Sequence, residues 1–287
     1  MSLQNYLENS LAQGTIKIYV YEIERFKKHY RNPEKLNYQN VMDYVELLRK
    51  NYAPQSVKRA VYALKKYYDY LQETGKVKHN IAQNIKIKDG KSNPVQLQEL
   101  LTEKELQKLL EPREERYPIL AKRNQIIVSL LVNQALLAGD VERLKTEDVN
   151  LKEAKINIKE SGNTNSRILN LKADQILLFY EYLKEEREKL VTFRTEKENY
   201  FLLGKLGTKI TTDDINYLIS TYHKSFTKKV TSITIRQSVI KLKLDQGENL
   251  RMVQYFAGHK HADTTEKYRE TGINALQTAI NQFHPLH

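Results

Sequence analysis

Ala257-Gly258-His259-Lys260-His261-Ala262-Asp263-Thr264-Thr265-Glu266-Lys267-Tyr268 is the stretch whose reading decides what this chain is. A Gly-His pair opens it, a Thr-Thr pair starts a new helical turn, and a tyrosine stands nine residues beyond the histidine. Asp263 or Thr264 is the expected N-cap, because a side-chain oxygen there accepts an orphan backbone N–H of the following helix. On that basis Tyr268 falls in the first turns of the helix and His259 in the turn before it. A phenol held beside an imidazole and a guanidinium is a nucleophile that can attack a phosphodiester and remain as a covalent ester. The alternative is a Gly C-cap, a surface histidine and a half-buried tyrosine, the ordinary fate of a tyrosine in a chain with 19 of them.

Composition bounds the partner. A chain of 287 residues can hold two domains, each with its own core. The formal charge of +12 points to a polyanion, nucleic acid before membrane. Residues 1–93 hold 17 Lys and Arg against 9 Asp and Glu, and the longer remainder 30 against 26, so the first part is the more basic per residue. No apolar run approaches the roughly 18 residues of a membrane span, and no secretory leader opens the sequence. The absence of cysteine excludes disulfides and thiolate metal sites, in keeping with a cytoplasmic, nucleoid-associated protein. His259-x-His261 has no carboxylate or thiolate company and is not read as a metal site; no cofactor is expected.

From Thr15 the apolar residues Ile16, Tyr19, Val20, Ile23, Phe26 and Tyr30 recur at helical steps until Asn32-Pro33. A short helix over 3–11, ending near Gly14, precedes this one. Further helices are expected over 38–49 and from Pro54 to Gly75. The last of these turns Val57, Val61, Leu64, Tyr68 and Leu71 inward and carries Lys58, Arg59, Lys65 and Lys66 outside. That basic face reads either as a contact for backbone phosphates or as an ordinary solvated surface. Residues 86–97, with Lys86, Lys88, Lys91, Gly90 and Pro94 and no periodicity, read as a basic linker between domains 1–85 and 98–287.

The second domain opens on Leu101-Thr102-Glu103-Lys104-Glu105, where Thr102 and Glu105 have capping-box spacing. A strongly apolar helix is expected over 122–137. Residues 155–158 and 167–171 alternate as a β-hairpin around Ser161-Gly162-Asn163. Helices follow at about 173–189, 212–225, 234–244, 249–257 and 263–269, then a tail helix from about 273. The fold class is therefore mainly α with a small β-hairpin or sheet.

The terminal box, the Thr-Ile-x-x-Tyr opening of the helix from Thr15, the Leu-Thr-x-x-Glu entry at 101 and Ile233-Thr234-Ile235-Arg236 stand in one order along nearly the whole chain. In that order they resemble the tyrosine recombinase, or phage integrase, family. The resemblance implies a SAM-like helical core-binding domain plus a recombinase catalytic domain, closing on double-stranded DNA as a clamp. It also implies a tail helix that mediates self-association or contact with an active recombinase partner. In this family a tyrosine attacks the scissile phosphate without metal or nucleotide, two arginines neutralise the non-bridging oxygens, and a hairpin lysine protonates the leaving oxygen.

Carried over residue by residue, the resemblance makes Tyr268 the nucleophile, Arg236 the second arginine and His259 the second histidine. Three positions depart from it: the first arginine is Leu137, the hairpin lysine is Gly162, and the histidine three residues before Arg236 is Ile233. Lys159, Arg167 and Arg143 are the candidate substitutes. One missing donor to an anionic transition state lowers the rate by about 10²–10³. The resulting expectation is a DNA-binding, recombinase-like protein engaged in site-specific recombination or integration, with cleavage through Tyr268 impaired or partner-dependent. The alternatives are a fully active divergent recombinase forming a 3′-phosphotyrosine, and a non-catalytic helical DNA-binding regulator.

Overall fold

The computed structural model describes residues 2–11, 13–87, 97–193 and 199–269, and the chain divides into two compact units, Met1–Asn93 and Pro94–His287. Both are dominated by helices, with one small sheet in the second. Among the described residues no helix is long and apolar enough to cross a membrane.

The first unit contains α1 (Leu3–Glu8), α2 (Gln13–His29), α3 (Tyr38–Asn51) and α4 (Pro54–Glu73). Gly14 does not end α1, as its position suggested; it lies in the first turn of α2. Asn37 and Asn40 close a capping box on α3, Pro54 begins α4, and Gly75 at φ +71° stops the chain just beyond it. The apolar stripes meet in a core of Leu7, Ile23, Phe26, Val45, Val61, Leu64, Tyr68 and Leu71, all at most 3% exposed. Each such side chain contributes about 1.5–3 kcal/mol on burial. The Tyr68 hydroxyl satisfies itself by donating to the Pro33 carbonyl, 3.0 Å away. Outside the core, α4 leaves Arg59 exposed and Lys58, Lys65 and Lys66 half-buried, and Lys86 is exposed. Lys88, Lys91 and most of the expected linker lie outside the described residues.

The second unit runs α5 (Glu103–Leu110), α6 (Ala121–Asn133), α7 (Ala138–Arg143), β1 (Val149–Asn150), β2 (Lys155–Ile158), β3 (Arg167–Asn170), α8 (Ala173–Lys184), α9 (Glu186–Val191), α10 (Thr212–Ser220), α11 (Ser232–Asp245), α12 (Leu250–Ala257) and α13 (Ala262–Glu266). Thr102 and Glu105 make the expected capping box. The strands form one antiparallel sheet, ordered β1-β2-β3, with Ile156 facing Val149 and Leu169. The two-residue β1 is too short to show alternation and was not anticipated.

Helix α6 is apolar on nearly every side and therefore sits at the domain centre, in contact with α5, α8 and α11. It is shorter than its apolar run. The helix stops at Asn133, Ala135 takes φ +49°, and α7 starts separately at Ala138. Buried amides account for the break. Gln134 and Gln175 exchange reciprocal side-chain hydrogen bonds of 2.8 and 2.9 Å, and Gln134 also donates to the Asn170 carbonyl on β3. The expected helix over 173–189 is likewise two, α8 and α9, parted at Glu185. The helix over 212–225 turns 3-10 after Ser220. The tail helix expected from 273 lies outside the described residues.

Candidate active site

Helix α11 begins with a capping box in which Thr231 accepts from the Thr234 amide, and this places Arg236 one turn inside, at 5% exposure. Its guanidinium donates from Nη1 to the Ala135 carbonyl at 2.5 Å and from Nη2 to the Ala257 carbonyl at 2.6 Å. Both acceptors stand at or just beyond helix C-termini, of α6 and α12, where carbonyls lack intrahelical donors and the helix dipole is negative. Arg236 thus ties two helix ends together. Among the described residues these two bonds engage two of its five N–H donors. Burial and the nearby Arg167 push its pKa down to about 10, so it stays charged at neutral pH.

Gly258 ends α12 in the left-handed region at φ +69° and turns the chain into His259. The His259 ring, 7% exposed, shares a 2.8 Å hydrogen bond between Nδ1 and Thr265 Oγ1. Burial, then the charges of Arg236 and Arg167, push its pKa down to about 4. The imidazole is therefore neutral near pH 7. The Tyr268 ring lies nearly parallel to it, centroids 6.3 Å apart at 13°, and packs against Ile240, Val253 and Ala257 at 8% exposure. Burial raises the phenol pKa, opposed by a side-chain hydrogen bond with Gln237 and by Arg236.

Two local expectations are corrected here. Helix α13 starts at Ala262 with His261 at its N-cap position, and neither Asp263 nor Thr264 caps it. Tyr268 lies past the end of that helix, its amide bonded to the Thr265 carbonyl, rather than in its first turns. The second residue of the Thr-Thr pair instead holds His259, a role that the capping rule did not suggest.

The structure brings Tyr268, His259 and Arg236 together, and the substitutes divide. Arg167, on β3, belongs to the same buried cluster, but its Nε donates to the Phe256 carbonyl, Nη1 to the Asn165 carbonyl and Nη2 to Asp140. Arg143 is half-exposed and paired with Asp140 at 2.8 Å. Lys159 turns instead to Glu147 and Asp148, at 2.9 and 3.0 Å. The hairpin loop reaches the site through its far end: the Asn165 amide donates to the Gly258 carbonyl, and Thr164 bridges His259. Among the departures, Leu137 is half-buried before α7, Ile233 is 60% exposed on the first turn of α11, and Gly162 has open space around it. No group of three or more His, Asp or Glu side chains suited to a metal occurs among the described residues.

A helical first unit, a second built on a buried central helix, and Tyr268, His259 and Arg236 gathered near one another are the arrangement that a resemblance to the tyrosine recombinases implies. Comparison with known sequences makes this specific. Residues 99–273 match the Phage integrase family and residues 3–75 match the phage integrase N-terminal SAM-like domain, so the chain belongs to the phage integrase family. It is similar to the tyrosine recombinase XerD of Listeria innocua, 27% identical over 290 residues that cover 97% of this chain and 95% of the relative. The tyrosine recombinase XerA of Thermococcus kodakarensis is 25% identical over 281 residues, covering 96% and 92%. Among solved structures, the XerH site-specific recombinase bound to palindromic difH substrate shares the fold at a TM-score of 0.71 and 20% identity, over 93% of this chain and 79% of that one.

Proposed function

We propose that this chain binds double-stranded DNA and takes part in site-specific recombination, with strand cleavage through Tyr268 impaired or dependent on a partner. The arrangement that carries this reading is the stacking of Tyr268 on His259 beside Arg236, with Leu137, Gly162 and Ile233 at the other three positions. The preserved triad supplies a nucleophile, a neutral imidazole and one guanidinium. Attack by the phenol oxygen on a phosphate would form the phosphotyrosyl ester and release a 5′-hydroxyl, and the reverse attack by a hydroxyl would reseal the strand. Arg236 would stabilise the extra negative charge of the transition state. Among the described candidates, Arg167 is held by Asp140 and two backbone carbonyls and Lys159 by Glu147 and Asp148, so this reading relies on Arg236. The DNA-bound XerH relative supports duplex DNA as the partner, and the net charge of +12 agrees.

A nicked duplex carrying the sequence that the protein itself selects from random DNA is the decisive substrate. The expected outcome is salt-sensitive binding with little or no denaturation-resistant adduct, and none at all with Tyr268→Phe. Abundant wild-type adduct would favour the fully active reading. Failure to bind duplex DNA would remove the whole proposal.

A further inference from the structure

The second unit carries a pocket of about 490 Å³ at the N-terminal end of α6, lined by the loop before that helix, the loop after Leu203 and α10. Its position along α6 sets it apart from the catalytic cluster. Arg123 at its floor and Asn133, the last residue of α6, are ten residues apart, about 15 Å at the rise of a helix, and Ala135, the carbonyl partner of Arg236, lies beyond that end.

Four cations line this pocket; Arg113 pairs with Glu115, and among the described residues the other three, Arg116, Arg123 and Lys205, have no carboxylate within ion-pair distance. Arg123 is half-buried, and its guanidinium meets only neutral acceptors, Asn124 Oδ1 at 2.6 and 3.0 Å and the Leu203 carbonyl at 3.2 Å. Lys205 lies over the Tyr117 ring at 3.9 Å, and Arg116 flanks the same ring at 5.4 Å. The two carboxylates that line the pocket have nearer partners, Glu115 pairing with Arg113 and Asp214 capping α10 through Thr211, and they act on Arg123 only from beyond ion-pair distance. Large apolar groups stand beside these cations, Tyr217 at 73% and Leu206 at 66% exposure. Arg116 and Lys205 are exposed, and of the three only Arg123 is partly withdrawn from water, which makes its charge unfavourable until an anion arrives. Tyrosine and arginine around a concave floor are the residue types that anchor protein partners.

We propose that this pocket docks an acidic peptide segment of a partner protein, with a large apolar side chain seated against Tyr217 and Leu206 and flanking carboxylates on Arg116, Arg123 and Lys205. A continuous phosphate backbone fits less well, because Glu115 and Asp214 would repel it at the same rim. The peptide's carboxylates, placed singly, meet the three cations and avoid those two acids.

The full-length chain is used to pan a random-peptide library, and an enriched peptide, fluorescently labelled, is titrated by anisotropy. Enriched sequences are expected to hold Asp or Glu on both sides of a Leu, Phe or Tyr. Lys205→Glu and Tyr217→Ala, both surface changes that leave the melting temperature in place, should weaken binding at least tenfold. Lys50→Glu, in the other unit, should change nothing. The proposal is overturned if no peptide is retained, if the enriched peptides lack acidic residues, or if Lys205→Glu binds as wild type. Displacement by a short DNA duplex would make the pocket a nucleic-acid contact, and displacement by a peptide of residues 273–287 a contact between copies of this chain. Either result also overturns it.

Discussion

Arg167 Nη2 stands 3.1 Å from Asp140 Oδ2, and both side chains are essentially out of solvent. This pair joins β3 to the start of α7, three residues after Leu137. Removing one partner of a buried ion pair leaves an uncompensated charge, which destabilises by about 3–5 kcal/mol. Asp140→Asn and Arg167→Gln should each lower the urea unfolding free energy by that order. The double change Arg167→Met with Asp140→Leu should recover part of it, because no buried charge is left unpaired, while the Phe256 and Asn165 carbonyls lose the arginine as donor. Equal losses in single and double variants would mean that the pair is not the source.

Gly258 is bound up with the same arginine. A Cβ at this residue would lie 2.5 Å from Arg167 Nη1 and 2.9 Å from its Cζ, on a backbone at φ +69°. Gly258→Ala therefore combines a steric conflict with a conformation that L residues rarely adopt, a loss of at least about 1–3 kcal/mol. Because the Asn165 amide donates to the Gly258 carbonyl, the hairpin loop should loosen as well. Hydrogen exchange at the Asn165 amide should speed up beyond what the global stability loss explains. Unchanged relative protection there would separate the loop from the turn.

Restoration tests the chemistry from the other direction. Gly162 has no atom within 4 Å of an added Cβ and no positive φ, so a lysine can be accommodated. Leu137 is half-buried in extended backbone before α7, where a longer side chain can reach outward. If each missing donor lowers the cleavage rate by about 10²–10³, Leu137→Arg should raise adduct formation on the nicked duplex by that order. The double variant with Gly162→Lys should exceed it, but by less than the product, since such groups act as a unit. No gain with intact DNA binding would show that these residues do not occupy the missing positions.

Much of the architecture is legible from periodicity alone. The inward faces of α2, α3 and α4 follow from three- and four-residue steps, and the Thr102–Glu105 cap and the strands β2 and β3 follow from local sequence pattern. Helix lengths were harder where a run stays apolar past the point at which the backbone turns. Residues 122–137 read as one helix, yet the buried Gln134–Gln175 amide pair and Ala135 at φ +49° break it. That pair joins residues 41 positions apart, so no local pattern announces it. In the candidate site, Tyr268, His259 and Arg236 are singled out by the resemblance to the recombinase motifs, and the fold sets them near one another. Asp140, which occupies the Arg167 guanidinium, and Thr265, which holds the His259 ring, are not so marked. Their parts depend on which strand and helix meet, and spacing along the chain carries no record of that.

His259 should make stability depend on pH in a defined window. Its folded pKa is about 4 against an ordinary 6.5, lowered chiefly by burial. Above pH 6.5 both folded and unfolded forms are neutral at this ring, and its contribution is fully present. Between 6.5 and 4 the unfolded chain takes up a proton that the folded one refuses, so stability falls on acidification, by up to about 1.4 kcal/mol per pH unit. Below the folded value both forms are protonated and the slope from this residue ends. His259→Gln keeps a polar partner for Thr265 and does not titrate. The unfolding free energy of wild type minus that of the variant should therefore be constant above pH 7 and shrink steadily towards pH 4.5. A difference that stays flat across this range would mean that the imidazole beside Tyr268 is not held neutral, and the acid-base part of the proposed chemistry would have to be rebuilt around a charged ring.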